Sequence, residues 1–447
     1  MSQHVHILGI SGTFMSSIAI LAREMGFYVT GCDAKCYPPV SDMLTEKQIQ
    51  WHEGYDITKD AIDADIVIVG NVVKRGMPVI EHLLNINKQL WSGPQWLANH
   101  VLPNYKVVAV CGTHGKTSTT AMITHIFDQA GLKPGFLIGG VDNNLKTSAR
   151  LGEGEWFIIE SDEYDSAFFD KRPKMMHYRP HIAIINNLEF DHGDIYPNLA
   201  AIVQQFHYYL RTIPSNSLLL TPDEDVAVGE VLAKGCYCHH QQISLLSRND
   251  WYADLRVEDG SQFDIYHQNH RLMQVNWPVI GAFNAKNALM AIAAGHHAGI
   301  ASSAMEKALS EFKPVKRRLQ KLASIQQIDV IDDFAHHPTA IRCTIDAVRK
   351  LNRYQRIIAV VEIGSNTMKQ GGHAYNLPMA ITQADIAFAY CADSIQIDGM
   401  DIQTNSETLL SQLVETVKPG DLVLFMSNKG FEGLQTRFIN RLQQVSA

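Results

Sequence analysis

Several things are missing from this chain of 447 residues, and each absence excludes a class of protein. No run of about 18 consecutive apolar residues occurs, which removes the ordinary membrane-spanning helix. The opening MSQHVHILGI passes into a strand-like run at once, with no basic segment ahead of a longer apolar one, so a cytoplasmic enzyme is expected. No block of like charge stands out and the net charge is -8, which leaves a phosphate-backbone partner such as DNA without an electrostatic footprint. Seven cysteines, an odd number in so long a chain, read as reduced thiols and not as a disulfide framework. Cys236 and Cys238 stand one residue apart beside His239 and His240, with no second pair nearby, so this segment reads as a polar loop and not as a zinc knuckle. A nucleophile of the Ser-His-Asp or Cys-His kind is also lacking.

What is present is an alternation of short apolar runs with amphipathic segments, the rhythm of βαβ units around parallel sheets. It falls into three blocks, an α/β architecture with Rossmann-like outer units. Residues 1–105 hold VHILGI, YVTGCD and DIVIVGN and end at a Pro/Asn break, LPNYK. Residues 106–313 hold VVAVCG, WFIIE, IAIINN and SLLLTPD, together with alternating pieces (QFDIYH, RLMQVNW) that predict antiparallel strands appended to a parallel core. Residues 314–447 start at Pro314 in FKPVKRR and hold IDVIDDF, RIIAVVE, DIAFAYC and DLVLFMS. The first block suggests a dinucleotide-binding oxidoreductase, but Ser11 and Phe14 stand where G-x-G-x-x-G needs glycine.

The central block opens with the most informative stretch, GTHGKTSTT, residues 112–120. It lies between a predicted strand and a predicted helix, where converging backbone N–H groups and the positive helix end favour an anion. Gly112 and Gly115 permit close backbone approach, Lys116 offers a cation to outer phosphates, and Thr117 offers a hydroxyl to Mg²⁺. The longer P-loop pattern would place glycine where this chain has Val110, so the motif is a shortened form. Magnesium needs further oxygen ligands or an occasional imidazole, and Glu160 in ESDEYDS and His192 in NNLEFDHGD stand just beyond apolar strands, at the sheet edge where ligands bind.

With these motifs in this order the chain resembles the Mur ligase superfamily of ATP-dependent amide-forming enzymes over essentially its whole length. GAFNAKNALMAIAA looks like the family's Asn-x-x-Asn helix, and KRRLQ and DDFAHHPTAI look like its hinge and C-terminal motifs. The resemblance implies that Gly112, Thr113, His114, Gly115, Lys116, Thr117 and Ser118 bind nucleotide phosphates, with Thr117, Glu160 and His192 holding Mg²⁺. It further implies Asn284 and Asn287 by the adenine, Arg318 by the γ-phosphate, Asp333 by the ribose and His336 near the reacting groups. Gly9, Gly12, Thr13 and Asp33 would help to bind a UDP-sugar.

HILGISGTFM, DDFAHHPTAI and SNTMK resemble the branch acting on UDP-N-acetylmuramate, and within it the member that attaches a recycled murein tripeptide, L-alanyl-γ-D-glutamyl-meso-diaminopimelate; the member that adds L-alanine is the alternative. Both would run through an acyl phosphate. Three positions depart from the family. QQFHYYL replaces the segment that often carries a carbamylated lysine, leaving His207 as the nearest polar substitute and predicting no carbamate. Phe283 replaces a histidine before the Asn-x-x-Asn pair, and Gly364 stands where relatives tend to have an arginine.

Overall fold

A computed structural model of the chain describes residues 2–38 and 40–445. The apolar runs form three open sheets in chain order. The first is a parallel sheet of five strands, in the order Gln50–Glu53, Tyr28–Asp33, His4–Leu8, Ile66–Val69 and Leu90–Ser92. Strand order reverses on the two sides of His4–Leu8, which opens a crevice at the carboxyl ends of these strands.

The second sheet has ten strands. At its centre Lys106–Cys111 lies between Ile182–Ile185 and Trp156–Glu160, all parallel. Both neighbours end at the same edge as Lys106–Cys111, so the segments after Cys111, Glu160 and Ile185 emerge together. Beyond Ile182–Ile185 the sheet continues through Leu218–Pro222 and His239–Ser244 to Trp251–Leu255, then turns antiparallel through Gln262–His267 and His270–Asn276. The antiparallel pieces are therefore where the alternating pattern put them. One expectation is corrected: His239 and His240 do not sit in a loop but open a parallel strand, His239–Ser244. The short strands Gly135–Leu137 and Ala149–Arg150 carry too few residues for a periodic signal.

The helices Lys116–Gln129 and Ala282–His297 lie together against the central sheet, and both are buried along most of their length. Their buried surface wraps most of the helix circumference, and in Lys116–Gln129 it includes Thr117, Thr119, Thr120 and Thr124 beside the apolar residues. Phe127 and Phe136 are fully buried in this core. The first sheet is not a separate body. Val5, Ile18 and Trp96 share one apolar cluster with Val107 and Phe157, and the buried Ser17 and Ser148 hydroxyls meet at 2.9 Å.

The third sheet has six strands, ordered Gln320–Ile325, Ile328–Asp333, Asp421–Met426, Arg356–Glu362, Ile386–Tyr390 and Ile402–Gln403, with the first antiparallel and the rest parallel. Among the described residues no helix is long and apolar enough to cross a membrane. Truncating Phe127 to alanine leaves a cavity in the central core, and the expected loss is about 3–5 kcal/mol, read as a lowered urea midpoint for the transition that reports the central unit.

Candidate active site

The loop between Lys106–Cys111 and Lys116–Gln129 is held in shape before any ligand arrives. Gly112 has φ +121° and Gly115 has φ +80°, the left-handed region in which glycine has no steric penalty. Space is as restrictive as the backbone: a Cβ on Gly112 would stand 2.8 Å from the Asn187 carbonyl, and one on Gly115 would stand 2.7 Å from Asn287 Oδ1. Asn186 and Asn187 fasten the loop from the neighbouring strand end. The His114 N–H donates to Asn187 Oδ1 at 2.8 Å, and both amide groups donate back to the His114 carbonyl. No side chain caps the helix that begins at Lys116, so its first N–H groups remain available to an anion.

Lys116 is buried, and its ammonium is shared among acceptors. It donates to the Gly112 carbonyl at 2.7 Å and to Glu163 Oε2 at 2.9 Å, with Asp162 Oδ1 at 3.8 Å. Burial works against the charged form, but Glu163 and Asp162 more than offset it and hold the pKa above the ordinary lysine value. Burial also opposes ionisation of Glu163, where Lys116 and His192 prevail and lower its pKa. His192 Nε2 meets Glu163 Oε1 at 3.1 Å; burial lowers the His192 pKa, and the bond to Glu163 with the nearby Asp191 raises it further than burial depresses it.

Thr117 and Glu160 make the second part of the site. The Thr117 hydroxyl donates to Glu160 Oε1 at 3.0 Å, and the Gly139 N–H donates to Glu160 Oε2 at 2.7 Å. Octahedral magnesium at bonds of about 2.1 Å places neighbouring ligand oxygens about 3 Å apart, so this hydroxyl and carboxylate fit a hard cation between them. Burial raises the Glu160 pKa, with Asp162 adding to the effect, and a cation at this point would reverse that. His192 is turned toward Glu163 and not toward Glu160.

A cleft of about 1290 Å³ opens above the loop and is bordered by all three sheets' loops. Thr113, His114, Gly115, Lys116, Thr117, Ser118, Glu160, His192, Asn284, Asn287, Arg318, Asp333 and His336 all line it. Arg318 reaches from the segment after Pro314 to donate to Thr117 Oγ1 at 3.2 Å, its guanidinium 4.8 Å from the Phe334 ring. Asp333 commits both oxygens locally, accepting from the Leu319 and Ala335 N–H groups at 2.7 and 2.8 Å. His336 faces the Phe334 carbonyl through Nδ1 at 3.0 Å, and burial takes its pKa down to about 4, so Nε2 is an unprotonated acceptor at neutral pH. Asn287 abuts Gly115 itself, at the phosphate end of the cleft.

Other candidates stand apart from the cleft. Of the four N-terminal residues only Thr13 lines it, beside Phe14, Pro38 and Asn71. Asp33 is held within its own unit, accepting from the Ser11 N–H at 2.9 Å and from the Tyr55 hydroxyl at 3.0 Å. His207, on the helix Leu199–Leu210, is not among the lining residues, and its Nδ1 is buried without a partner. Phe283 does line the cleft. A Cβ on Gly364 would come within 2.7 Å of Lys429 Cγ and 2.8 Å of Asn428 Oδ1, so a larger residue there would require those side chains to shift.

The motif reading overlooked Glu163, the partner that Lys116 and His192 share. A signal was present, since Glu163 follows Glu160 by three residues in ESDEYDS, but only the turn after the strand reveals that both carboxylates face the loop. It also overlooked contacts between sheets: Thr367 Oγ1 donates to Asp191 at 3.0 Å while accepting from the Gly193 N–H at 2.9 Å, and Thr339 Oγ1 donates to Glu189 at 3.0 Å.

Comparison with known proteins decides the family. Residues 4–105 match the Mur ligase family catalytic domain, 110–295 the Mur ligase middle domain, and 317–429 the Mur ligase glutamate ligase domain. The chain is 44% identical, over 99% of both chains, to a UDP-N-acetylmuramate--L-alanyl-gamma-D-glutamyl-meso-2,6-diaminoheptandioate ligase of Haemophilus influenzae. The chain belongs to the Mur ligase family. A ligase of the same name from Escherichia coli is 42% identical over 98% of both chains. Among solved structures, a murein peptide ligase of Psychrobacter arcticus 273-4 superposes with a TM-score of 0.78, at 40% identity and 99% coverage of each chain. As a Mur ligase this chain is an ATP-dependent enzyme that forms a C–N bond.

The ion pairing makes a specific expectation. In Glu163→Gln the largest influence left on His192 is burial, so its midpoint, above 6.5 in the parent, should fall below it, as read from imidazole resonances. Because the folded pKa of His192 is raised, its stabilising contribution is complete below the unfolded value and is lost as pH rises through the folded one. The variant should lack that component of the stability profile.

Proposed function

We propose that this ligase joins the tripeptide L-alanyl-γ-D-glutamyl-meso-diaminopimelate to UDP-N-acetylmuramate, consuming ATP, in the recycling of murein. The observation that supports it most is similarity over nearly the whole chain to two ligases named for that reaction, at 44% and 42% identity. A ligase of Desulforamulus reducens named for the addition of L-alanine is 29% identical over 98% of both chains, which keeps that acceptor as the second reading.

The chemistry follows from a poor leaving group. A carboxylate does not react with an amine at neutral pH until one of its oxygens is made to leave, and transfer of the γ-phosphoryl group from ATP to the muramyl carboxylate supplies this as an acyl phosphate. Lys116 and Arg318, which line the cleft from two units, would spread the charge that builds up during transfer. Thr117 and Glu160 would hold Mg²⁺, whose role is to shield the outer phosphates, and His192 with Glu163 offers a second nitrogen and oxygen pair close by. The peptide amine then displaces phosphate, and His336 Nε2 lines the cleft as an unprotonated acceptor for a proton.

Placement accounts for the division of labour. Residues 1–105 would carry the UDP-sugar, with Thr13 reaching into the cleft and Gly9, Gly12 and Asp33 shaping the crevice behind it. Residues 106–313 would bind the nucleotide and residues 314–447 the peptide. Closure of the three around one cleft keeps water from the acyl phosphate.

Lys116→Ala should abolish ligation, at least 1,000-fold on the scale of a lost transition-state charge contact, while circular dichroism stays unchanged. With lactyl oxygens enriched in ¹⁸O, label should appear in released phosphate; label retained wholly in the conjugate would refute the acyl phosphate. Offering tripeptide, dipeptide and L-alanine in parallel distinguishes the two acceptor readings, with the tripeptide expected to give the highest kcat/KM.

A further inference from the structure

We propose that His114, Glu189 and His337 form a binding site for a divalent cation of the zinc class, fastening the phosphate loop to the C-terminal unit. The three side chains come from three places in the fold: the loop itself, the segment after Ile182–Ile185, and the start of the helix Pro338–Arg349. Their ligand atoms lie within 4.8 Å of one another. Both imidazoles point at the same carboxylate oxygen, with His114 Nε2 and His337 Nδ1 each 3.1 Å from Glu189 Oε2.

The contacts of His337 suit a metal ligand. Its Nε2 faces the Phe190 carbonyl at 3.3 Å, a contact that is favourable only when Nε2 carries hydrogen. Its Nδ1 accepts the Thr339 N–H at 3.2 Å as the cap of the helix. Both contacts favour the hydrogen on Nε2, and the single Nδ1 lone pair, engaged only by the long Thr339 contact, also faces Glu189 Oε2 at 3.1 Å.

The geometry and the donor chemistry agree. A tetrahedral ion with bonds of about 2.0–2.2 Å places its ligand atoms about 3.3–3.6 Å apart, close to the 3.1 Å that separates each imidazole nitrogen from Glu189 Oε2. Two imidazoles and one carboxylate suit zinc and its neighbours, whereas magnesium prefers oxygen ligands. The supporting contacts are also of the kind that orient metal ligands: the Phe190 carbonyl takes the far N–H of His337, and the Thr339 hydroxyl donates to the other Glu189 oxygen at 3.0 Å. His114 and Glu189 line the cleft, so a fourth position left open would face it. The site is separate from the Thr117 and Glu160 pair, and occupancy would join loop and helix cap through shared bonds in place of the long Thr339 contact.

The test uses the full chain, freed of metal with a chelator and kept in excess Mg²⁺ to saturate the oxygen sites. Titration with Co²⁺ should give the visible d–d absorption of a tetrahedral centre at one equivalent, displaced by Zn²⁺. Glu189→Gln and His337→Asn should each weaken cobalt binding at least tenfold; asparagine is a favoured helix cap, so the second variant keeps the helix start intact. Glu160→Gln should retain the spectrum. On zinc loading, amide exchange should slow together at 113–115 and 336–341. No chromophore at one equivalent, a spectrum that survives both substitutions, or one lost with Glu160→Gln alone would overturn the site; slowing in only one segment would overturn the fastening.

Discussion

The constraint on which the rest depends is the buried ammonium of Lys116. A cation out of water persists only when paired, and here the pairing is supplied by the Gly112 carbonyl and Glu163, with Asp162 nearby. Lys174, itself buried, takes up the remaining charge of Asp162 at 3.0 Å. Lys116, Glu163, Asp162 and Lys174 therefore each have a partner of opposite sign. In the proposed reading a nucleotide's phosphates would meet a lysine that is charged and oriented, and would compete with Glu163 for it. That exchange of one anion for another, with little net desolvation, is how a buried lysine remains usable.

The same logic explains why the site is assembled from three sheets. Each strand edge delivers side chains to a line, and a line cannot surround a phosphate, a sugar acid and an amine at once. The central sheet contributes the loop and the two carboxylates Glu160 and Glu163; the third contributes Arg318 and His336; the first contributes Thr13. Contacts such as Thr367 with Asp191 and Arg318 with Thr117 hold the outer unit over the loop through polar bonds, which can be broken and remade, whereas the first sheet is joined to the central one by shared apolar burial. The junctions thus differ in kind, and the polar one is suited to opening.

Much of this was legible along the chain. The period of the apolar runs gave the three sheets, because a buried parallel strand must be apolar on both faces. GTHGKT marked its own place between strand and helix, since glycine spacing, lysine and hydroxyl act over adjacent residues. Thr117 and Glu160 lie 43 positions apart, yet both mark strand ends of a parallel sheet, so they were found too. The short strands at Gly135 and Ala149, the strand beginning at His239, and the pairing of His192 with Glu163 were not found. Polar or very short segments carry no periodic signal, and hydrogen-bond partners across a turn depend on where the turn points.

By itself the sequence determined which segments become apolar strands, where the phosphate loop falls and which residue types it carries, all of which are local consequences of backbone sterics and side-chain burial. Only the tertiary structure decided which acid neutralises Lys116, that Gly364 lies against the Lys429 and Asn428 side chains, and that His114, Glu189 and His337 meet. Those outcomes depend on distances between residues far apart in the chain, and such distances exist only once the sheets have packed.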